Sequence, residues 1–213
     1  MKTRDRILDQ ARRLFNERGL EKVTVRDICD ALEISPGNFT YYFKGKTLVV
    51  WELYEQMMLE IYALAGAIPL DHSSVRYFLE AHKGIFFVQE KYRFFYLNLF
   101  QIFTHYPAIR EAYLQRYEQE KAFARQLLVQ YAGGGVLIKD LSEGQMDKLI
   151  NVGYVLNNSW LLDAELHFRG DRMARLKHYL QLCCGRLEPY LTQGAKGEYE
   201  AYFDQLELET VPE

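Results

Sequence analysis

A chain of 213 residues, 49% apolar and 26% charged, has ordinary globular composition and can bury a core without disulfides or metals. Three cysteines without a secretory signal exclude a disulfide framework and favour a reducing, cytoplasmic compartment. The net charge of −3 does not by itself indicate nucleic acid. However, the first fifty residues hold ten Lys and Arg against seven Asp and Glu, as expected when only this part meets phosphates.

Three helices are predicted at the N-terminus. An apolar face of period 3.6 runs from Ile7 to Phe15, and Gly19 is placed to end that helix. Thr24 with Asp27 three residues later forms a capping box that begins the second helix. Ser35 and Pro36 begin the third, because Ser caps a helix and the missing N–H of Pro has no cost at the first position. Only two residues join the second helix to the third, which predicts a helix-turn-helix.

The third helix has two different faces when each residue is turned by 100°. Its aromatic face is predicted to be buried and consists of Phe39, Tyr42 and Phe43. The opposite face is small or hydrogen-bonding, and it consists of Gly37, Asn38, Thr40 and Tyr41. Since this face has no carboxylate to repel phosphate, it suits a major groove about 12 Å wide. The same pattern also occurs in plain three-helix bundles, so both interpretations remain open on chemistry alone.

The rest of the chain is also predicted to be helical, and the clearest break is a run of three glycines at 133–135. The predicted helices begin at about 47 and continue over 74–90, 91–105, 107–131, 143–168, 171–191 and 196–207. The longest apolar run, 94–103, is too short to span a bilayer, so no membrane partner is expected. The sequence therefore predicts an all-α protein, with a three-helix helix-turn-helix head at 1–46 and a helical-bundle body at 47–213.

The N-terminal residues resemble the DNA-binding domain of the TetR (tetracycline-repressor-like) regulators. The matching stretches are ILDQARRLF at 7–15, Gly19, VTVRDI at 23–28 and SPGNFTYYFKGK at 35–46. This resemblance implies double-stranded DNA as a partner, a homodimer, and a divergent body that binds a small effector. The sequence departs from the family at two positions, where Thr40 replaces a common Tyr and Tyr42 a common His.

The predicted DNA contacts follow from the resemblance together with the helical wheel. Phosphate contacts position the protein and base contacts specify the sequence. By the resemblance, Thr24 and Arg26 match positions that contact the DNA backbone, and Lys46 matches a lysine that contacts a phosphate. Lys44 follows the third helix and is expected to do the same. The remaining candidates lie in the recognition helix: Ser35, Pro36, Gly37, Asn38, Thr40, Tyr41 and Tyr42.

Two late helices carry apolar stripes at alternating spacings of three and four residues, which is typical of a helix–helix seam. The residues predicted for a dimer interface are Leu156, Trp160, Leu176, Leu180, Cys183 and Leu187. The alternative is that these stripes pack within one subunit. A two-fold dimer places its recognition helices about 34–36 Å apart and requires a near-palindromic site.

An aromatic-rich stretch in the body predicts an apolar pocket for an apolar or aromatic effector, with core packing as the alternative. Its candidate ligand-binding residues are Phe86, Tyr96, Phe100, Phe103 and Trp160. In one body conformation, the distance between the two heads of the dimer would not fit the operator. An effector that prefers this conformation would release a repressor from its operator.

Other functional classes find little support in the sequence. No nucleophile elbow, P-loop, zinc-protease or dinucleotide motif is present, so neither an enzyme nor a cofactor is predicted. The five histidines are scattered singly and no metal site is predicted. The cysteines, Cys29, Cys183 and Cys184, are interpreted as small buried apolar residues, with a redox sensor as the minor alternative. A helical adaptor that binds only protein remains the alternative to DNA binding.

Overall fold

The computed structural model describes residues 2–138 and 141–206, and these residues form an all-α fold, as predicted. The helices are α1 Thr3–Arg18, α2 Val25–Leu32, α3 Pro36–Tyr42, α4 Lys46–Ala67, α5 Arg76–Lys91, α6 Arg93–Leu97, α7 Leu99–His105, α8 Pro107–Gly133, α9 Glu143–His167, α10 Arg172–Gly185 and α11 Gln193–Asp204. A short 3₁₀ turn, Glu188–Tyr190, precedes α11. The predicted tail helix is α11, although its predicted last residue, 207, lies outside the described residues.

Two predicted helices are shorter or interrupted in the structure. The predicted helix 91–105 divides into α6 and α7 at Asn98, whose side-chain amide donates to the Phe94 carbonyl at 2.7 Å. The amide thus takes the acceptor that the backbone N–H of residue 98 would use in a continuous helix. The predicted helix 171–191 ends at Gly185, and the 3₁₀ turn continues the chain with Pro189 near its start.

The described residues pack as two units. The first unit is drawn from Met1–Tyr62 and Val88–Tyr113, and the second from Ala63–Phe87 and Leu114–Glu213. Helices α4, α5 and α8 each contribute residues to both units. The first unit therefore contains more than the predicted head at 1–46, because the first part of α4 and the α5–α7 region pack with α1.

The core of the first unit is aromatic. The rings of Phe15 on α1 and Phe94 on α6 lie 5.3 Å apart, and Tyr54 on α4 stacks on Phe95 at 5.4 Å. Each of these four side chains is at most 1% exposed. Burial of such large apolar surfaces is the main term that holds the small helices of this unit together.

A polar junction connects α1 to the break between α5 and α6. The Asn16 amide donates to the Lys91 carbonyl at 2.8 Å, and its oxygen accepts the Phe94 N–H at 3.0 Å. Arg12 donates to the same carbonyl at 3.1 Å. On the other side of the break, the hydroxyl of buried Tyr92 donates to Glu60 of α4 at 2.7 Å. One asparagine side chain thereby satisfies backbone groups that the end of α5 and the start of α6 leave open.

Replacing Asn16 by alanine is expected to lower the free energy of unfolding by about 1–2 kcal/mol, because the Phe94 N–H loses its partner in a mostly buried place. Chemical denaturation of the variant measures this change. Asn38→Ala is the matched control, since Asn38 is exposed and its replacement should stay within about 0.5 kcal/mol of the parent. Equal effects of both substitutions would contradict a structural role for Asn16.

The second unit is built around α9 and α10. Trp160 of α9 lies 5.7 Å from Tyr179 of α10, and the Tyr179 hydroxyl donates to Asp163. Phe86 of α5 stacks on Trp160 with ring centroids 4.4 Å apart.

The three cysteines of the chain are buried and form no disulfide, in agreement with their interpretation as small apolar residues. In the part of the chain that the structure describes, no helix is both long and apolar enough to cross a membrane.

Candidate nucleic-acid interface

The helix-turn-helix begins with the predicted capping box. The Thr24 hydroxyl accepts the Asp27 N–H at 3.2 Å, and the Thr24 N–H donates to the Asp27 carboxylate at 2.7 Å. The hydrogen bonds from Thr24 hold the pKa of Asp27 below its usual range, so this carboxylate stays charged at neutral pH. The box fixes the first turn of α2.

The turn between α2 and α3 contains Glu33 in the left-handed conformation, with φ 54°. Its N–H bonds back to the last carbonyls of α2, and the Ile34 N–H donates to the Cys29 carbonyl at 3.1 Å. Helices commonly end in this way, usually with glycine at that position. Ser35 then caps α3 by accepting the Asn38 N–H at 3.1 Å, and Pro36 occupies the first turn as predicted.

The two faces of α3 separate as the helical wheel predicts. Phe39 and Phe43 are each 1% exposed, and their rings lie 5.9 Å apart. Tyr42, predicted to be buried on the same face, is only half-buried. Residues 35–38, Thr40 and Tyr41 are exposed, with Tyr41 at 79%. Two buried rings therefore fix the rotation of α3 and turn its small, carboxylate-free face to solvent.

Two exposed residues on this side can carry phosphate contacts. The Arg26 side chain is 88% exposed, and its nearest carboxylate is Asp30 at 3.8 Å. An exposed pair at that distance contributes little, so the guanidinium can leave it for a phosphate. Lys44 is exposed directly after α3. The hydroxyl of Thr40 is less available, because it donates to the Pro36 carbonyl at 2.7 Å.

Lys46 has a structural partner that the sequence did not indicate. It is half-buried, its ammonium donates to the Leu20 carbonyl, and it lies 5.7 Å above the Phe15 ring. Desolvation lowers the pKa of this ammonium from its ordinary value. Lys46 thus ties the start of α4 to the loop before α2, and two of its three N–H groups remain for a phosphate.

Replacing Lys46 by methionine is expected to lower the free energy of unfolding by about 1 kcal/mol, because the Leu20 carbonyl loses a charged donor. Lys44→Met, at an exposed position, should leave stability unchanged within about 0.5 kcal/mol. Thermal unfolding of the two variants measures both effects. If Lys46→Met were as stable as Lys44→Met, the ammonium would have no anchoring role.

The side chains predicted for a dimer interface lie mostly inside the second unit. Five of the six are at most 2% exposed and Leu156 is half-buried; the five are Trp160, Leu176, Leu180, Cys183 and Leu187. The packing of α9 and α10 within the chain accounts for their three–four spacing, which is the alternative that the sequence left open, and a dimer contact by these residues stays a prediction.

A different apolar stripe of α9 faces solvent, and sequence reasoning missed it. Its exposed residues recur at the same three–four spacing: Val152, Val155, Ser159, Leu162 and Leu166. Leu182 on α10 is also 52% exposed. Periodicity cannot distinguish the two stripes of α9, because both repeat with the period of a helix–helix seam.

The predicted ligand-binding residues fall into different places. Phe86 and Trp160 belong to the second unit and stack on each other. Tyr96 and Phe103 belong to the first unit, where each lies edge-on to Phe95. Phe100 is 84% exposed. Most of these rings pack against other rings in this structure, and an effector site among them stays a prediction.

These features define a helix-turn-helix protein with a helical body, and comparisons with known proteins give its family. Residues 7–52 match the profile of the bacterial regulatory proteins of the tetR family, and residues 53–199 match the TetR profile of bacterial transcriptional repressors. Since the second match alone covers more than half of the chain, the protein belongs to the TetR family.

Two curated relatives match locally. A 60-residue stretch is 35% identical to YttP of Bacillus subtilis, a probable helix-turn-helix transcriptional regulator, and covers 28% of this chain and 27% of that protein. A 78-residue stretch is 36% identical to the transcriptional repressor KstR2 of Rhodococcus jostii, and covers 37% of this chain and 38% of that protein. The matched stretches thus span well under half of either relative.

Solved structures share the whole fold. A TetR-family regulator from Marinobacter aquaeolei superposes with a TM-score of 0.85 at 23% identity, over 96% of this chain and 98% of its own. A transcriptional regulator from Saccharomonospora viridis, in complex with choline, superposes with a TM-score of 0.66 at 19% identity, over 89% and 98% of the two chains.

Proposed function

We propose that the protein is a sequence-specific transcriptional repressor that binds a near-palindromic operator as a homodimer and leaves it when a small effector binds the body. The observation that carries this proposal is the rotation of α3. Burial of Phe39 and Phe43 leaves a face of small and hydrogen-bonding residues exposed. Membership of a family of transcriptional repressors supports the same function.

The exposed face of α3 divides into residues of different roles. The Asn38 amide can donate and accept at once, as a bidentate contact with adenine requires. Gly37 has no side chain and lets the backbone approach the groove closely. Tyr41 is long and exposed, so it reaches a base edge or a phosphate. Arg26 and Lys44 flank this face and neutralise phosphates, whereas Lys46 combines a phosphate contact with its bond to Leu20.

Asn38→Ala is expected to relax the preference for one base pair, costing about 1–3 kcal/mol on the operator and little on random DNA. Lys44→Met should instead weaken binding to both DNAs and lower the slope of log affinity against log salt by about 0.9. Fluorescence anisotropy with an operator selected from genomic fragments, at several salt concentrations, measures both.

The two variants are matched controls for each other, because both residues are exposed. Equal losses on operator and random DNA for both would contradict the division into base and phosphate contacts. A folded protein that binds neither DNA would contradict DNA binding itself and favour a protein-binding adaptor.

The homodimer is proposed to form through the solvent-facing stripe of α9. Val155 is 66% exposed, Leu162 50% and Leu166 59%, and exposed apolar residues in such a row mark an interaction surface. Pairing this stripe with its copy across a two-fold axis buries all of them at once. The residues inferred from the sequence, Trp160 among them, would then support the stripe from within the subunit.

The double variant Val155→Glu/Leu162→Glu is expected to be a folded monomer, because two charges on each subunit would be buried against their copies. Sedimentation equilibrium measures the mass. Val129→Glu, on the exposed side of α8, is the control and should remain dimeric. A parent protein that is monomeric, or a double variant that stays dimeric, would refute this interface.

The effector response is proposed to travel along continuous helices. The backbones of α4 and α5 run through both units, so a shift of either helix in the body moves residues of the unit that contains α3. The Asn16 junction holds α1 to the end of α5, and Tyr92 holds the same break to α4. In this proposal the helices have one arrangement that fits the operator and another that does not. A ligand that binds the second arrangement more tightly than the first lowers operator affinity.

A further inference from the structure

In the part of the chain that the structure describes, a half-buried arginine of the second unit has no carboxylate partner. Arg186 follows the last turn of α10, and its guanidinium donates to the Cys183 carbonyl and, at 3.0 Å, to the His82 Nε2 atom. No ion pair to Arg186 occurs among residues 2–138 and 141–206. The guanidinium has five N–H groups, and these two contacts leave three without a partner among the described residues.

The described side chains next to Arg186, His82 and Cys183, are uncharged. A guanidinium can only donate, so His82 Nε2 must accept, and its Nδ1–H donates to the Phe78 carbonyl at 2.8 Å. Burial and the adjacent guanidinium lower the pKa of His82 to about 3, so the imidazole is neutral at pH 7. Burial raises the pKa of Cys183 to about 12, so this thiol is neutral too.

Two neighbours lie close to the guanidinium. Its carbon lies 5.2 Å from the centre of the Phe78 ring. A Cβ built on Gly153 of α9 would come within 2.7 Å of Nε and Nη2, so only glycine allows this approach. The C-terminus of α10 supplies only a partial negative charge, about half a unit, through carbonyls such as that of Cys183. Among residues 2–138 and 141–206, no full counter-charge accompanies the guanidinium.

We propose that Arg186 anchors the carboxylate of a small, otherwise apolar effector acid. The planar fork of the guanidinium matches a carboxylate in a two-point contact, and the Arg186 residue is only partly buried. Phe78 and the neutral His82 favour an apolar body next to that carboxylate. This inference rests on the proposed effector response and names the chemical class of the effector.

The test compares acids with their uncharged amides. Octanoate and phenylacetate are the probes, octanamide and phenylacetamide their controls, and the readout is the thermal unfolding midpoint at rising ligand concentration. At least one acid is expected to raise the midpoint at concentrations tenfold or more below those its amide needs. The inference is overturned if neither acid raises it, or if each amide acts as strongly as its acid.

Two variants locate the effect at the guanidinium. Arg186→Met should abolish the response to the acids and still fold, because an apolar side chain of similar volume replaces a poorly compensated charge. Arg172→Met, at an exposed position of α10, should respond like the parent. Gly153→Ala pushes the flexible guanidinium aside and should weaken the acid response at least tenfold, whereas Gly144→Ala, which has open space, should not.

An unchanged response in Arg186→Met or Gly153→Ala would overturn the inference even if the acids bind. Operator binding by the same preparations separates this result from the proposed function. A protein that binds its operator but responds to no acid loses only the carboxylate site. A protein that binds no operator loses the repressor function, whatever its response to acids.

Discussion

The burial of Phe39 and Phe43 is the constraint on which the proposed function depends. Phe39 and Phe43 are about one helical turn apart, and both side chains are almost completely buried. Rotating α3 by even a quarter turn would expose one ring and cost roughly the 1.5–3 kcal/mol of a buried aromatic side chain. The core of the head thus decides which residues of α3 face solvent, and it leaves Gly37, Asn38 and Tyr41 there.

Local chemistry made the head predictable from sequence. The capping box of Thr24, the Ser35–Pro36 start and the two faces of α3 are decided by residues at most four positions apart. The structure confirms the two helix starts and the burial of Phe39 and Phe43, whereas Tyr42 is only half-buried. Lys46 shows the limit of this reasoning. Its bond to the Leu20 carbonyl joins positions that are distant along the chain, and no pattern of residue types indicates such a partner.

The body was predictable as helices but not as surfaces. Both stripes of α9 have the spacing of a helix–helix seam, and the sequence favoured the one that contains Trp160, which packs inside the chain. Which stripe is buried depends on the neighbours of α9 in space. The break at Asn98 was missed for a related reason, because a side chain that bonds to its own backbone interrupts a helix without any change in apolar period. Arg186 and His82 likewise meet only in the folded chain.

Photo-crosslinking from α3 tests the central claim most directly. One protein carries p-azidophenylalanine in place of Tyr41, which is 79% exposed on the solvent-facing side of α3. A second protein carries it in place of Phe123, which is 48% exposed on α8. Irradiation with operator DNA should crosslink the first protein to bases inside the operator and leave the second uncrosslinked. If both proteins bind the operator but position 41 yields no crosslink, α3 does not lie in the groove and the proposed role of α3 in DNA binding is wrong.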